Sequence, residues 1–157
     1  MKKIINKLPL GITSLLYLAL GGVGLMLVYL FQDYLDLHSL LQGEMPNRLH
    51  YKVEYAQNIN PWAFSINKAG RYILNDLFAI SIIYGLFGES RYVRFAMYVL
   101  LVGLFLLVPV YIFLYLAQPT GFSSMLSHLH RIVMNPVLMM LMIPALYFQK
   151  KVRQEEH

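Results

Sequence analysis

The run from Leu8 to Phe31 contains no charged residue. This constrains the chain more than any other feature, because about 20 consecutive apolar residues suffice to cross the hydrocarbon core of a bilayer. In lipid the backbone must satisfy its own hydrogen bonds, so such a run is helical. A cleavable signal peptide has an apolar core of only about 7–15 residues and a small-x-small cleavage site. Neither fits, and an uncleaved first helix is expected over 8–31. Gly21, Gly22 and Gly24 lie in its middle. They permit close helix approach or a bend, although they do not form GxxxG.

Three further apolar runs follow. The second is expected to be helical over 69–87. The third covers 95–117, with Pro109 inside, where a kink is expected. The fourth has two possible starts. Asn135 can cap it with Pro136 in the first turn. That version runs only from Pro136 to Lys150, about 22 Å at 1.5 Å per residue, against a core of about 30 Å. The longer helix, 124–150 with a kink at Pro136, is therefore expected. Met134, Met139, Met140 and Met142 give it either an adaptable contact face or ordinary packing material.

Composition agrees with a membrane chain. The 157 residues are 58% hydrophobic and 13% charged, with a mean hydropathy of +0.53. A soluble domain carries roughly a quarter charged residues. The net charge of +5 sits at the helix ends, as topology signals rather than a nucleic-acid patch. There is no cysteine, which excludes disulfides, thiolate metal sites and cysteine nucleophiles.

The expected fold is an all-α membrane protein, a single integral domain over 1–157 with four transmembrane helices. Lys2, Lys3, Lys7, Arg91, Arg94, Lys150, Lys151 and Arg153 fall on one side. Arg48, Lys52, Lys68, Arg71 and Arg131 fall on the other, mostly in a long loop over 32–68 that also holds Asp33, Asp36, Glu44 and Glu54. The positive-inside rule then places both termini in the cytoplasm and the loop in the periplasm. Within the loop, Tyr34 to Leu41 suggests a short surface helix. Asn60-Pro61-Trp62 suggests an interfacial turn. Residues 32–58 are expected to be water-exposed and, apart from the termini, the least rigidly held part of the fold.

Two polar shoulders stand at the outer mouths of the second and fourth runs. Arg71 is followed by Asn75 and Asp76, and His128, His130 and Arg131 are followed by Asn135. In each, Asn lies four residues beyond Arg and shares its helix face. Ionisable groups inside membrane segments usually face protein or water and are paired. Arg71, Asn75, Asp76, His128, His130, Arg131 and Asn135 are therefore expected to form one cluster, with Asp76 paired to Arg131. It is either a structural clamp or a binding face for a partner or lipid headgroup. His128 and His130 do not share one helix face and have no Cys, Asp or Glu nearby, so no metal site is expected. Ser123, Ser124 and Ser127 lack a nucleophile elbow. No cofactor fingerprint occurs. Neither catalytic residues nor a cofactor are expected, and the chain carries no signal for an oligomeric state.

The stretch Arg71-Tyr72-Ile73-Leu74-Asn75-Asp76, continuing to Phe87, together with His130-Arg131, Asn135-Pro136 and Ile143 to Gln149, resembles the exosortase F system-associated proteins. The likeness covers about residues 60–150. It implies a multi-pass protein of a bacterial inner membrane, encoded beside an exosortase. That membrane-embedded transpeptidase needs a catalytic Cys, so the resemblance implies an accessory role here, with an exosortase and membrane lipids as partners. Two rival readings remain. One is a small membrane enzyme or lipid-handling protein using His128, His130 and Asp76. The other is a transporter subunit.

Overall fold

A computed structural model describes residues 11–45, 60–117 and 123–155, and the regular structure among them is entirely helical. In chain order the helices are α1 (Ile12–Leu30), α2 (Leu37–Leu41), α3 (Pro61–Phe87), α4 (Ser90–Val102), α5 (Val108–Ala117), α6 (Ser123–Met134) and α7 (Val137–Glu155), with a π-helical turn, Gly103–Leu107, joining α4 to α5. Two of these are long and apolar enough to cross a membrane: α1, and the continuous 28-residue rod Ser90–Ala117. A third qualifies if α6 and α7 count as one span, bent by 62°. α3 falls short of that test because Lys68, Arg71, Asn75 and Asp76 lie within its length.

α3 is the hub, touching every other helix. Its contact with α1 runs through glycines. A Cβ on Gly21 would lie 2.6 Å from the Phe78 carbonyl oxygen, and one on Gly85 would lie 2.9 Å from that of Ser14. Gly24 lies under the Phe78 ring in the same way. Backbone meets backbone along this seam, as small residues allow. Gly22 has nothing near it. The seam places the start of α1 beside the end of α3. Lys150 of α7 reaches the same end, with its ammonium 3.5 Å from the Phe87 carbonyl and 4.0 Å from Glu89.

Helix boundaries differ from the sequence reading where capping decided them. α3 begins at Pro61, not 69. The Asn60 side chain accepts a hydrogen bond from the Trp62 N–H at 3.0 Å, and Pro61 takes the first helical position. What reads as an interfacial turn is a helix start. α3 ends at Gly88, whose φ of 65° is left-handed. The chain then restarts at once, so α4 begins at Ser90 rather than 95 and carries Arg91 and Arg94, both exposed, in its first turns. Pro109 is absorbed without a break. The carbonyl four residues before it, where its ring would crowd, belongs to the π turn.

The expected 124–150 helix is two helices. Pro136 lacks an N–H and disfavours the α conformation at Asn135, and the chain breaks there. Of Met134, Met139, Met140 and Met142, the first two are buried in the core, Met142 packs at its edge and Met140 is exposed. The segment 32–45 is also tighter than expected. Asp36 and Ser39 are buried, and Leu37 fills the space over Gly70. Residues 46–59, the rest of the expected loop, lie outside the described residues, as do 8–10 of the first expected helix.

Candidate functional site at one end of the helical core

Two stripes at helical spacing run along α3. One is Phe64, Lys68, Tyr72 and Asp76; the other is Asn67, Arg71 and Asn75. Residues four apart stack on one face, so the polar groups descend into the core as a ladder.

At the top, the Asp36 carboxylate accepts from the Ser39 N–H at 3.2 Å, the Ser39 hydroxyl at 2.7 Å and the Asn67 amide at 2.9 Å. The Asn67 carbonyl accepts from the His38 N–H at 2.9 Å. These bonds fasten α2 to α3. Beside them Lys68 is only 7% exposed, and its ammonium lies 5.4 Å from the centre of the Phe64 ring. Phe64 stacks on Tyr115 at 4.5 Å and more loosely on Tyr111 at 6.4 Å. Cations held over ring faces in this way are stabilised by the ring quadrupole.

One turn deeper, the half-buried Arg71 donates from Nη2 to the Gln32 side-chain oxygen at 2.6 Å. Its Nε is buried with no acceptor among the described residues. Across from it, the Tyr111 hydroxyl and His130 Nδ1 share a hydrogen bond of 2.8 Å, joining α5 to α6. Lys68 and Arg71 both lie within electrostatic range of His130, and Asp33 within range of both cations. Gln32, Arg71, Lys68, Tyr111 and His130 thus converge from four elements on one end of the molecule.

Deeper still, Asn75 donates to the Met134 carbonyl at 2.8 Å, satisfying the last turn of α6 where it breaks. Tyr72 reaches toward the Leu100 carbonyl at 3.5 Å, a weak bond, and its ring occupies the place of a side chain at Gly103, where the π turn begins. Asp76 is 2% exposed, and its Oδ2 has no hydrogen-bond partner among the described residues.

The expected cluster is therefore only partly assembled. Arg71, Asn75 and Asp76 lie on the inner side of α3, and His130 faces Tyr111. His128, Arg131 and Asn135 are exposed. The expected Asp76–Arg131 ion pair does not form. α6 buries Val133 and Met134 and rests Leu126 and Leu129 against the core. That apolar face turns Arg131 outward, about 100° of helical rotation away from His130. Lys68, Asn67, Asp36, Ser39, Gln32 and Tyr111 were not singled out by sequence reasoning. The i, i+4 series Asn67–Arg71–Asn75 was open to it once Asn60-Pro61 is recognised as a helix start; nothing local marks Tyr111. No group of three His, Asp or Glu side chains suited to a metal occurs among the described residues. Comparison with protein-family models, curated proteins and solved structures found no match.

Proposed function

We propose that this chain is a non-enzymatic, multi-pass accessory protein of a bacterial inner membrane, which binds or stabilises an exosortase or its sorting substrate. α1, α3, the α4–α5 rod and the α6–α7 pair would make four crossings, with both termini cytoplasmic. Large apolar side chains cover the outside of α1 and of the rod, among them Leu16, Leu20, Met26, Phe105 and Phe113. This suits lipid contact. α3 has 27 residues, about 40 Å at 1.5 Å each, so it can span the core of about 30 Å and still lift its first turns into the outer interface.

The observation that carries the reading is the gathering of Arg71, Lys68, His130 and Tyr111 at the end opposite Lys150, Arg91 and Arg94. Ionisable groups at such a place are costly to hold, and where they persist they commonly mark function. The exposed His128 and Arg131 widen the polar surface beside them. A pull-down from native membranes in mild detergent tests the proposal. Co-purification of an exosortase, lost on changing His128 and Arg131 to alanine, is expected. Recovery of the chain with no exosortase from membranes that contain one refutes it. A catalytic reading of the same groups would instead require turnover dependent on His130.

A further inference from the structure

We propose that the groove between α1 and the start of α4 holds one anionic phospholipid, with an acyl chain in the groove and the phosphate at Arg94. This rests on the membrane placement above but not on the exosortase partnership. α1 and α4 both pack against α3 and leave a gap between them. The gap is an open cavity of about 280 Å³, lined by Tyr17 of α1, Ile80, Ser81 and Tyr84 of α3, and Ser90 and Val93 of α4. Its size is near the lower bound of small-molecule pockets, about 300–1,000 Å³. Two small side chains, Ser81 and Ser90, leave the room. The Ser81 hydroxyl donates to the Leu77 carbonyl at 3.1 Å, so this polar group on the floor needs no partner from an occupant. Tyr17 and Tyr84 meet edge to face at 4.6 Å, which holds one wall in place. From Phe87, at the end of α3, to Ile80 is about 10 Å at 1.5 Å per residue. The groove therefore runs from the helix ends into the apolar zone, the path an acyl chain takes.

Charge selects the occupant. Arg94 follows Ser90 by four residues and stands on the same side of α4. Its Cα–Cβ bond tilts toward the start of the helix, so the exposed side chain leans toward the mouth of the groove. Arg94 makes no hydrogen bond or ion pair among the described residues. The acid beside the mouth, Glu89, is already met by Arg91 at 3.3 Å and by Lys150 at 4.0 Å. The mouth thus carries an uncommitted, accessible guanidinium, whose planar donors match phosphate oxygens. Basic pockets between membrane helices at a cytoplasmic face bind anionic headgroups in this way. A partner helix, about 10–12 Å across, does not enter a cavity of this size. A second copy of the chain, oriented alike in the bilayer, would bring its own Arg91, Arg94 and Lys151 to the same depth, and like charges facing each other are unfavourable.

The experiment uses the full chain, stripped of lipid in dodecyl maltoside and observed by native mass spectrometry. Dioleoyl phosphatidylglycerol, dioleoyl phosphatidylcholine and dioleoylglycerol are titrated in turn. One phosphatidylglycerol per chain is expected to stay bound, about tenfold tighter than either of the other lipids. Arg94→Gln should remove that preference, and Arg94→Lys should keep most of it. Arg153→Gln, on α7 and off the groove, should leave it unchanged. Ser81→Phe fills the groove and should abolish the binding. Should Ser81→Phe not fold, a phosphatidylglycerol carrying a diazirine in its acyl chain decides on the unaltered chain: labelling should fall on Tyr17, Tyr84 or Val93. Equal retention of the three lipids, full preference in folded Arg94→Gln, undiminished binding by folded Ser81→Phe, or labelling confined to other residues would overturn the proposal. So would a dimer of the parent chain that Ser81→Phe splits, because a second copy would then fill the groove. A chain that stays in membranes but retains no phosphatidylglycerol refutes this inference alone. A chain released from membranes without detergent refutes the membrane placement as well.

Discussion

Asp76 and Arg131 show how little residue type alone says about pairing in this chain. The carboxyl is buried beneath Tyr72, its Oδ2 without a hydrogen-bond partner among the described residues, while the guanidinium faces outward from α6. Breaking a buried ion pair by removing one partner costs about 3–5 kcal/mol. No such loss is expected here. Arg131→Ala should change stability by no more than about 0.5 kcal/mol, as exposed substitutions usually do. Asp76→Asn should leave stability equal or higher, because an amide of the same shape removes a buried carboxylate that has no ionic partner among the described residues. Thermal unfolding of both variants in detergent decides it. A large loss for Arg131→Ala would mean that α6 rotates in solution to bring that residue inward.

Among the elements, the α1–α3 seam is the most exacting. Gly24 sits under the Phe78 ring and Gly21 against the Phe78 carbonyl and Ile82, so neither position has room for a side chain. Gly22 is a single residue from Gly21 and faces open space. Gly24→Leu should therefore wedge the helices apart and cost about 1–3 kcal/mol, the usual range for overpacking. Gly22→Leu should be tolerated. Unfolding midpoints for the pair, read side by side, check the seam; equal effects would argue against it. The glycine cluster was legible in the sequence as a point of close approach or bending. Which of its members touch α3 was not, since helical rotation relative to a partner depends on what that partner presents. The α6–α7 break was half legible in the same way. Pro136 announces a disturbance, but its size depends on the Asn75 amide being in place to donate to the Met134 carbonyl at the loose end of α6.

For the whole molecule, the contacts sort the helix ends into two groups. The start of α1, the end of α3, the start of α4 and the end of α7 meet through Gly85, Phe87, Glu89 and Lys150. The end of α1, the start of α3, the end of α5 and α6 meet through Gln32, Arg71, Tyr111 and His130. With basic residues concentrated in the first group, that end should be cytoplasmic. Reporter fusions after Glu89 and after Lys151 should report cytoplasm, and one near Glu44 should report periplasm. A periplasmic signal after Lys151 would mean that the α6–α7 pair turns back without crossing, leaving the ends on opposite sides.

Hydropathy alone determined that this chain is helical and that its long uncharged runs suit a bilayer, because lipid tolerates no unsatisfied backbone in an exposed segment. Single residues such as Pro136 and Gly88 marked their own discontinuities, since their backbone preferences act locally. The site was another matter. Arg71 is bound by Gln32, 39 residues away, and His130 by Tyr111, 19 residues away. Neither partner belongs to a motif. Only packing decides which faces of α3, α5 and α6 meet, and hence which polar side chains must satisfy one another in the interior.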